Sequence, residues 1–133
     1  MTRATGTFDI TRWDEHVYAQ PEGSTLARVE MGKAYRGDVE GSGAATLLTA
    51  GTEIGPAGYV GMEHVSGRLH GRRGTYLLQL QHHAGAEAGR ALATVVPGSG
   101  TGELRGIRGQ VLFTIEENGE HRWTLDYELA PPT

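Results

Sequence analysis

Residues 60–83 read VGMEHVSGRLHGRRGTYLLQLQHH. Two arms flank the central HGRR, and in both of them polar and apolar side chains change places with a period of two, as in antiparallel strands whose faces differ. The length of the connection decides which residues share a face. An odd-length loop centred on Gly71 pairs residues whose numbers have an even sum. It sets Glu63 across from Gln79, Gly61 from Gln81 and Tyr59 from His83, with Val60, Met62, Tyr76, Leu78 and Leu80 on the opposite face.

The same period recurs outward along the chain. Phe8 and Ile10 alternate with Thr7, Asp9 and Thr11, and Ala27, Val29, Met31 and Tyr35 alternate with Arg28, Glu30 and Arg36. Further strands are expected over 39–49, 58–69, 74–84, 90–96, 109–116 and 121–129. They are separated by GPA, HGRR, AEAG, PGSGTGELRG and ENGE. Asn118-Gly119 has the composition of a type I′ hairpin turn. About eight strands result, a number with which an antiparallel sheet closes into a barrel and removes its edges.

Composition agrees with an all-β class. The chain has 133 residues and 21 glycines spread along its length, which suits short-looped strands in one domain, residues 1–133, with Pro131 and Pro132 marking a frayed tail at 130–133. Helical conformation is expected only as single turns near Pro21–Ser24 and Thr101–Arg105, the latter capped by Ser99 or Thr101. The absence of cysteine removes disulfides, thiolate nucleophiles and thiolate metal sites, and fits a cytoplasmic protein. No leader or membrane span is expected from MTRATGTFDI or from any later run. A net charge of -4, with Arg72-Arg73 as the one adjacent basic pair, gives little footing for nucleic acid.

Chemistry-bearing motifs are sparse. PGSGTGELRG lacks the lysine of a phosphate-binding loop and the long following helix of a dinucleotide fingerprint, so it reads as a connection between strands. Adjacent histidines on a strand face opposite ways, so His82 and His83 do not make a metal pair, and no cofactor is expected. The polar face of the hairpin is more suggestive. Inside a barrel, Glu63 flanked by Gln79, Gln81 and an imidazole would suit proton transfer, while the same spacing on a half-solvated strand would be a plain surface. Trp13 and Trp123, on terminal strands that neighbour each other on closure, suit either core packing or the grip on an apolar guest.

Four segments taken together, TGTFDITRWDE, KAYRGDVEGSG, GYVGMEHVSGRLHGRRGTYLLQ and TVVPGSGTGELRGIRG, resemble the bacterial family called domain of unknown function 3224, over nearly the whole chain. The resemblance falls on Trp13, Lys33, Tyr35, Gly37, Asp38, Glu63, Gln79 and the loop Pro97, Gly98, Ser99, Gly100, Thr101, Gly102 and Glu103. Where the family has LQH this chain has LQLQHH, leaving His82 and His83 as alternatives for the family histidine. The resemblance implies a small antiparallel barrel similar to allene oxide cyclases and lipocalins, and no established activity.

Three functions are then open. In the first, the barrel binds a small apolar or amphipathic molecule, held by Trp13, Trp123 and Tyr59 and oriented by Glu63, Gln79, Gln81 and His82. In the second it is a cofactor-free cyclase or isomerase using Glu63 and His83 for acid–base work. In the third it is a structural or assembly protein with a filled interior. An outward surplus of Val60, Met62, Leu78 and Leu80 would be covered by a homodimer.

Overall fold

The computed structural model describes residues 1–84 and 90–129; the AEAG connection and the tail at 130–133 lie outside the described residues. Eight strands form one closed antiparallel barrel. They are β1 (Thr2–Ala19), β2 (Thr25–Gly37), β3 (Val39–Thr52), β4 (Gly55–Leu69), β5 (Arg72–His83), β6 (Arg90–Val95), β7 (Arg108–Ile115) and β8 (His121–Glu128). Each strand pairs with the next, and β8 returns to pair with β1. Among the described residues the one helical element is a 3-10 turn at Gly102–Leu104, preceded by Thr101, whose side chain makes no capping bond. No helix among the described residues is long and apolar enough to cross a membrane.

The β4–β5 connection differs from the expected odd-length loop. Leu69 pairs with Arg72, leaving a two-residue turn at His70 and Gly71, and both have positive φ, 48° and 81°, as a type I′ turn requires. Partner numbers therefore sum to an odd value. Glu63 faces Leu78, and Met62 faces Gln79. Leu78 and Leu80 are core residues, Val60 and Met62 are exposed, and the outward surplus keeps two of its four members. The Asn118-Gly119 turn also differs. Gly119 alone has positive φ, and its N–H reaches Glu116 O while the Asn118 side chain accepts from Glu120 N. The additional loop residue takes the place of a two-residue I′ turn.

The lower half of the barrel is solid. Ala4, Val39, Val65, Leu69, Tyr76, Leu78, Leu125 and Tyr127 fill it, and Leu104 and Ile107 plug it from below. The PGSGTGELRG loop makes this seal. β6 pairs with β5 only at Leu78–Gln81, so the lower edge of β5 would be left with unpaired donors, a cost that native folds avoid. Alternate loop side chains take them up: Ser99 Oγ accepts from Leu77 N at 3.0 Å, Thr101 Oγ1 from Thr75 N at 3.0 Å and Glu103 Oε1 from Arg73 N at 3.1 Å. The intervening glycines let the backbones touch. A methyl group on Gly100 would collide with the carbonyl oxygen of Leu104 and lie 2.9 Å from Ile107 Cγ2. Gly100→Ala should cost about 3 kcal/mol, read as a lowered denaturation midpoint; an unchanged midpoint would contradict this account of the loop.

Asp38 stitches the same end. Its carboxylate accepts from Thr5 N at 2.9 Å and its carbonyl from His70 N at 2.9 Å. The GD and PGSGTGE motifs thus have structural work that requires no ligand.

Candidate functional site: a hollow upper barrel floored by a buried ion pair

β1 begins with its even-numbered residues inward, as Ala4 and Phe8 show. A bulge between Ile10 and Arg12 then shifts the register, so Ile10 and Trp13 both turn toward the inside, since one extra residue reverses facing. Beyond Phe8 the strand has no β8 partner. The upper barrel is open there, and Trp13, though inward, remains half exposed.

Inside lies a cavity of about 880 Å³. Its wall includes Phe8, Trp13, Met31, Leu47, Tyr59, Leu80 and Phe113, with His82 and His121 as imidazoles and Lys33 as the cation. Charged Glu15, Glu53 and Arg90 also line it, from the projecting part of β1, the β3–β4 connection and the first residue of β6.

The floor holds the most polar chemistry in the interior. Lys33 and Glu63 are 5% and 1% exposed. Lys33 Nζ donates to Glu63 Oε1 at 2.8 Å, and the Tyr35 hydroxyl donates to Glu63 Oε2 in a short hydrogen bond. The ammonium lies 4.0 Å from the Phe113 ring centroid and 4.8 Å from that of Phe8, a cation–π setting that offsets part of its lost hydration. Three neighbouring strands build the cluster. Lys33 and Tyr35 come from β2 and Glu63 from β4; between them β3 offers Gly43, where a methyl group would collide with the carboxylate of Glu63. Burial, then the nearby carboxylate and the hydrogen bond to it, push the Tyr35 hydroxyl well above the ordinary tyrosine range. Burial and then Glu63 raise Tyr59 and Tyr76 as well.

The expected site residues divide between the two sides of the sheet. Glu63 points inward, but Lys33, not Glu63, meets the cavity. Trp13, Tyr59 and His82 line the cavity. Gln79, Gln81 and His83 are exposed on the outer face, a correction that follows directly from the two-residue turn. Trp123 is buried beneath the cavity, donating to Thr7 O at 3.1 Å and meeting Tyr35 edge-on; it packs the core and does not line the mouth beside Trp13. Lys33 was the residue that strand reading passed over. Its signal was parity, because it continues the inward series Ala27, Val29, Met31, Tyr35. Among the described residues no group of three or more His, Asp or Glu side chains could hold a metal ion.

The family model described as "Protein of unknown function (DUF3224)" matches residues 4–127. The chain belongs to the DUF3224 family. A crystal structure of a DUF3224 protein of unknown function from Shewanella oneidensis MR-1 is 33% identical, with a TM-score of 0.87, covering 98% of this chain and 99% of that one. A pyocyanin demethylase is 13% identical with a TM-score of 0.41, over 96% of this chain and 100% of that one, a likeness too slight to bear on activity. No curated protein matches. In this barrel the motifs divide the labour: the GD and PGSGTGE residues seal its lower end, while the lysine and tyrosine of KAYRGD and the glutamate of GMEH meet at the cavity floor.

Proposed function

We propose that this DUF3224 protein binds a small apolar or amphipathic molecule in the upper half of its barrel. The observation that carries the reading is the hollow itself. At about 880 Å³ it is within the range of small-molecule sites, and its wall combines apolar and aromatic side chains with a few converging polar groups. Trp13, Tyr59 and His82 are the proposed wall contacts, and Lys33 is the proposed polar anchor. The absence of cysteine fits a reducing compartment such as the cytoplasm.

The cyclase or isomerase reading has less support. A general base must reach the proton that it removes, whereas both oxygens of Glu63 already accept hydrogen bonds. The assembly reading calls for a filled interior, and the upper half is hollow. The exposed Leu48, Val60 and Met62 keep a homodimer open as a further proposal, since Leu48 and Val60 are paired across β3 and β4.

A neutral fluorophore, phenylnaphthylamine, tests the binding reading. Its emission should rise saturably with the wild-type protein, and Ala91→Phe, which adds bulk at a cavity-lining position, should weaken binding by roughly ten-fold or more. Equal binding by both proteins would move the probe to the outer apolar patch and remove the support for an interior site.

A further inference from the structure

The charges at the cavity floor say what kind of polar group a guest can bring. The Lys33 ammonium has three N–H donors. Its described hydrogen bond goes to Glu63, and its remaining surroundings include the faces of Phe113 and Phe8. Yet the residue lines the cavity, and Glu63 takes one of the three donors. The carboxylate, in contrast, does not line the cavity, and each of its oxygens accepts a bond, one from Lys33 and one from Tyr35. One positive and one negative charge already balance in the floor.

An anionic guest would add an uncompensated charge to that balanced pair, and a cationic guest would face the ammonium. The anion would lose its hydration for an ammonium already neutralised by Glu63, and the cation would lose its own against a like charge. A neutral oxygen acceptor avoids both costs and meets the donors. A second polar atom is available higher on the wall: His82 Nδ1 is buried without a hydrogen-bond partner, on a ring tilted against Tyr59 at 5.6 Å. The other charged lining residues, Glu15, Glu53 and Arg90, belong to the open end. Around the floor the wall is aromatic, with Phe8, Phe113 and Tyr59, which favours a flat unsaturated body.

We propose that the guest is an uncharged, flat, largely unsaturated molecule whose carbonyl oxygen accepts a hydrogen bond from Lys33 Nζ. This rests on the interior-binding reading and adds the ligand's chemical class. Lys33 is thereby the residue that selects the guest's polar group.

Three compounds of nearly one shape separate the possibilities: methyl naphthyl ketone, isopropenylnaphthalene, in which a methylene replaces the oxygen, and naphthoate. Each is titrated by displacement of phenylnaphthylamine near neutral pH. The ketone should bind roughly ten-fold or more tightly than either analogue, as expected for a hydrogen bond to a charged donor. The double variant Lys33→Met with Glu63→Gln keeps the floor neutral while removing the ammonium, and it should bind ketone and alkene equally. Wild-type protein that prefers naphthoate or the alkene, or a double variant that keeps the ketone preference, overturns the assignment. If phenylnaphthylamine binds inside but none of the three compounds displaces it, the ligand class is wrong and the interior-binding reading stands. If the probe itself does not bind inside, that reading falls and this inference falls with it.

Discussion

Lys33→Met should cost about 3–5 kcal/mol of stability, the usual penalty for removing one member of a buried ion pair. Methionine fills nearly the same volume, so the loss comes chiefly from Glu63. Its carboxylate is 1% exposed and would keep one hydrogen bond from Tyr35 with no cation beside it. Against total stabilities of roughly 5–15 kcal/mol for natural domains, this places the variant near unfolding. The remedy separates charge from shape. Adding Glu63→Gln to Lys33→Met removes the stranded charge and should recover most of the loss, because a neutral replacement of both partners is often close to neutral in stability. Urea denaturation of the wild type, the single variant and the double variant is the measurement. A single variant as stable as the double would show that the pair does not matter in the way its burial implies.

Alkaline solution should destabilise the barrel steeply. Tyr35 and Tyr76 are raised above the ordinary tyrosine value, first by burial and then by the nearby charge of Glu63. A raised value means that the folded protein holds these protons after the unfolded chain has released them. The associated stability is whole below about pH 10, where unfolded tyrosines still hold their protons, and is lost as pH rises toward the folded values. Within that window the unfolded state binds fewer protons, so stability falls with pH. Each tyrosine contributes a slope of about 1.4 kcal/mol per pH unit, or roughly 2.7 for the two together. Denaturation midpoints at successive pH values, with phenolate absorbance followed in parallel, will test this. Ionisation of all the tyrosines near pH 10 without loss of the folded state would contradict it. Tyr35→Phe should flatten the slope, since phenylalanine has no proton to lose.

The strand pattern was legible because period two survives any uncertainty about partners. The segments around Val29 and Leu125 alternate in burial as they alternate in chemistry, those around Leu47, Tyr76 and Val111 alternate in burial along apolar runs, and a large glycine content marks the places where turns and close approaches occur. β1 was less legible. Its length, Thr2–Ala19, exceeds what Phe8 and Ile10 display, and the bulge that brings both Ile10 and Trp13 inward breaks the alternation locally. The inward Lys33 shared the parity of Met31 and Tyr35. Its acceptor lies 30 residues away, and the pair cannot be seen until β2, β3 and β4 are in register.

By itself, then, the sequence determined an all-β chain of about eight antiparallel strands and its family, and it left open whether Glu63 faces the interior or solvent. Tertiary structure decided the facing of the arm opposite. HGRR admits either a two-residue or a longer connection, because only Gly71 adopts positive φ without steric penalty. His70 also adopts it, at 48°, and the rest of the fold supports that conformation. Its Nδ1 meets the Tyr127 hydroxyl at 2.6 Å, its Nε2 lies 3.4 Å from Asp38, and its N–H donates to Asp38 O. Those partners lie on β8 and in the β2–β3 connection, far from HGRR along the chain. Their contacts fix a two-residue turn, and a shift of one residue in register sends every side chain of β5 to the other face. Gln79, Gln81 and His83 therefore meet solvent, while Leu78, Leu80 and His82 turn inward.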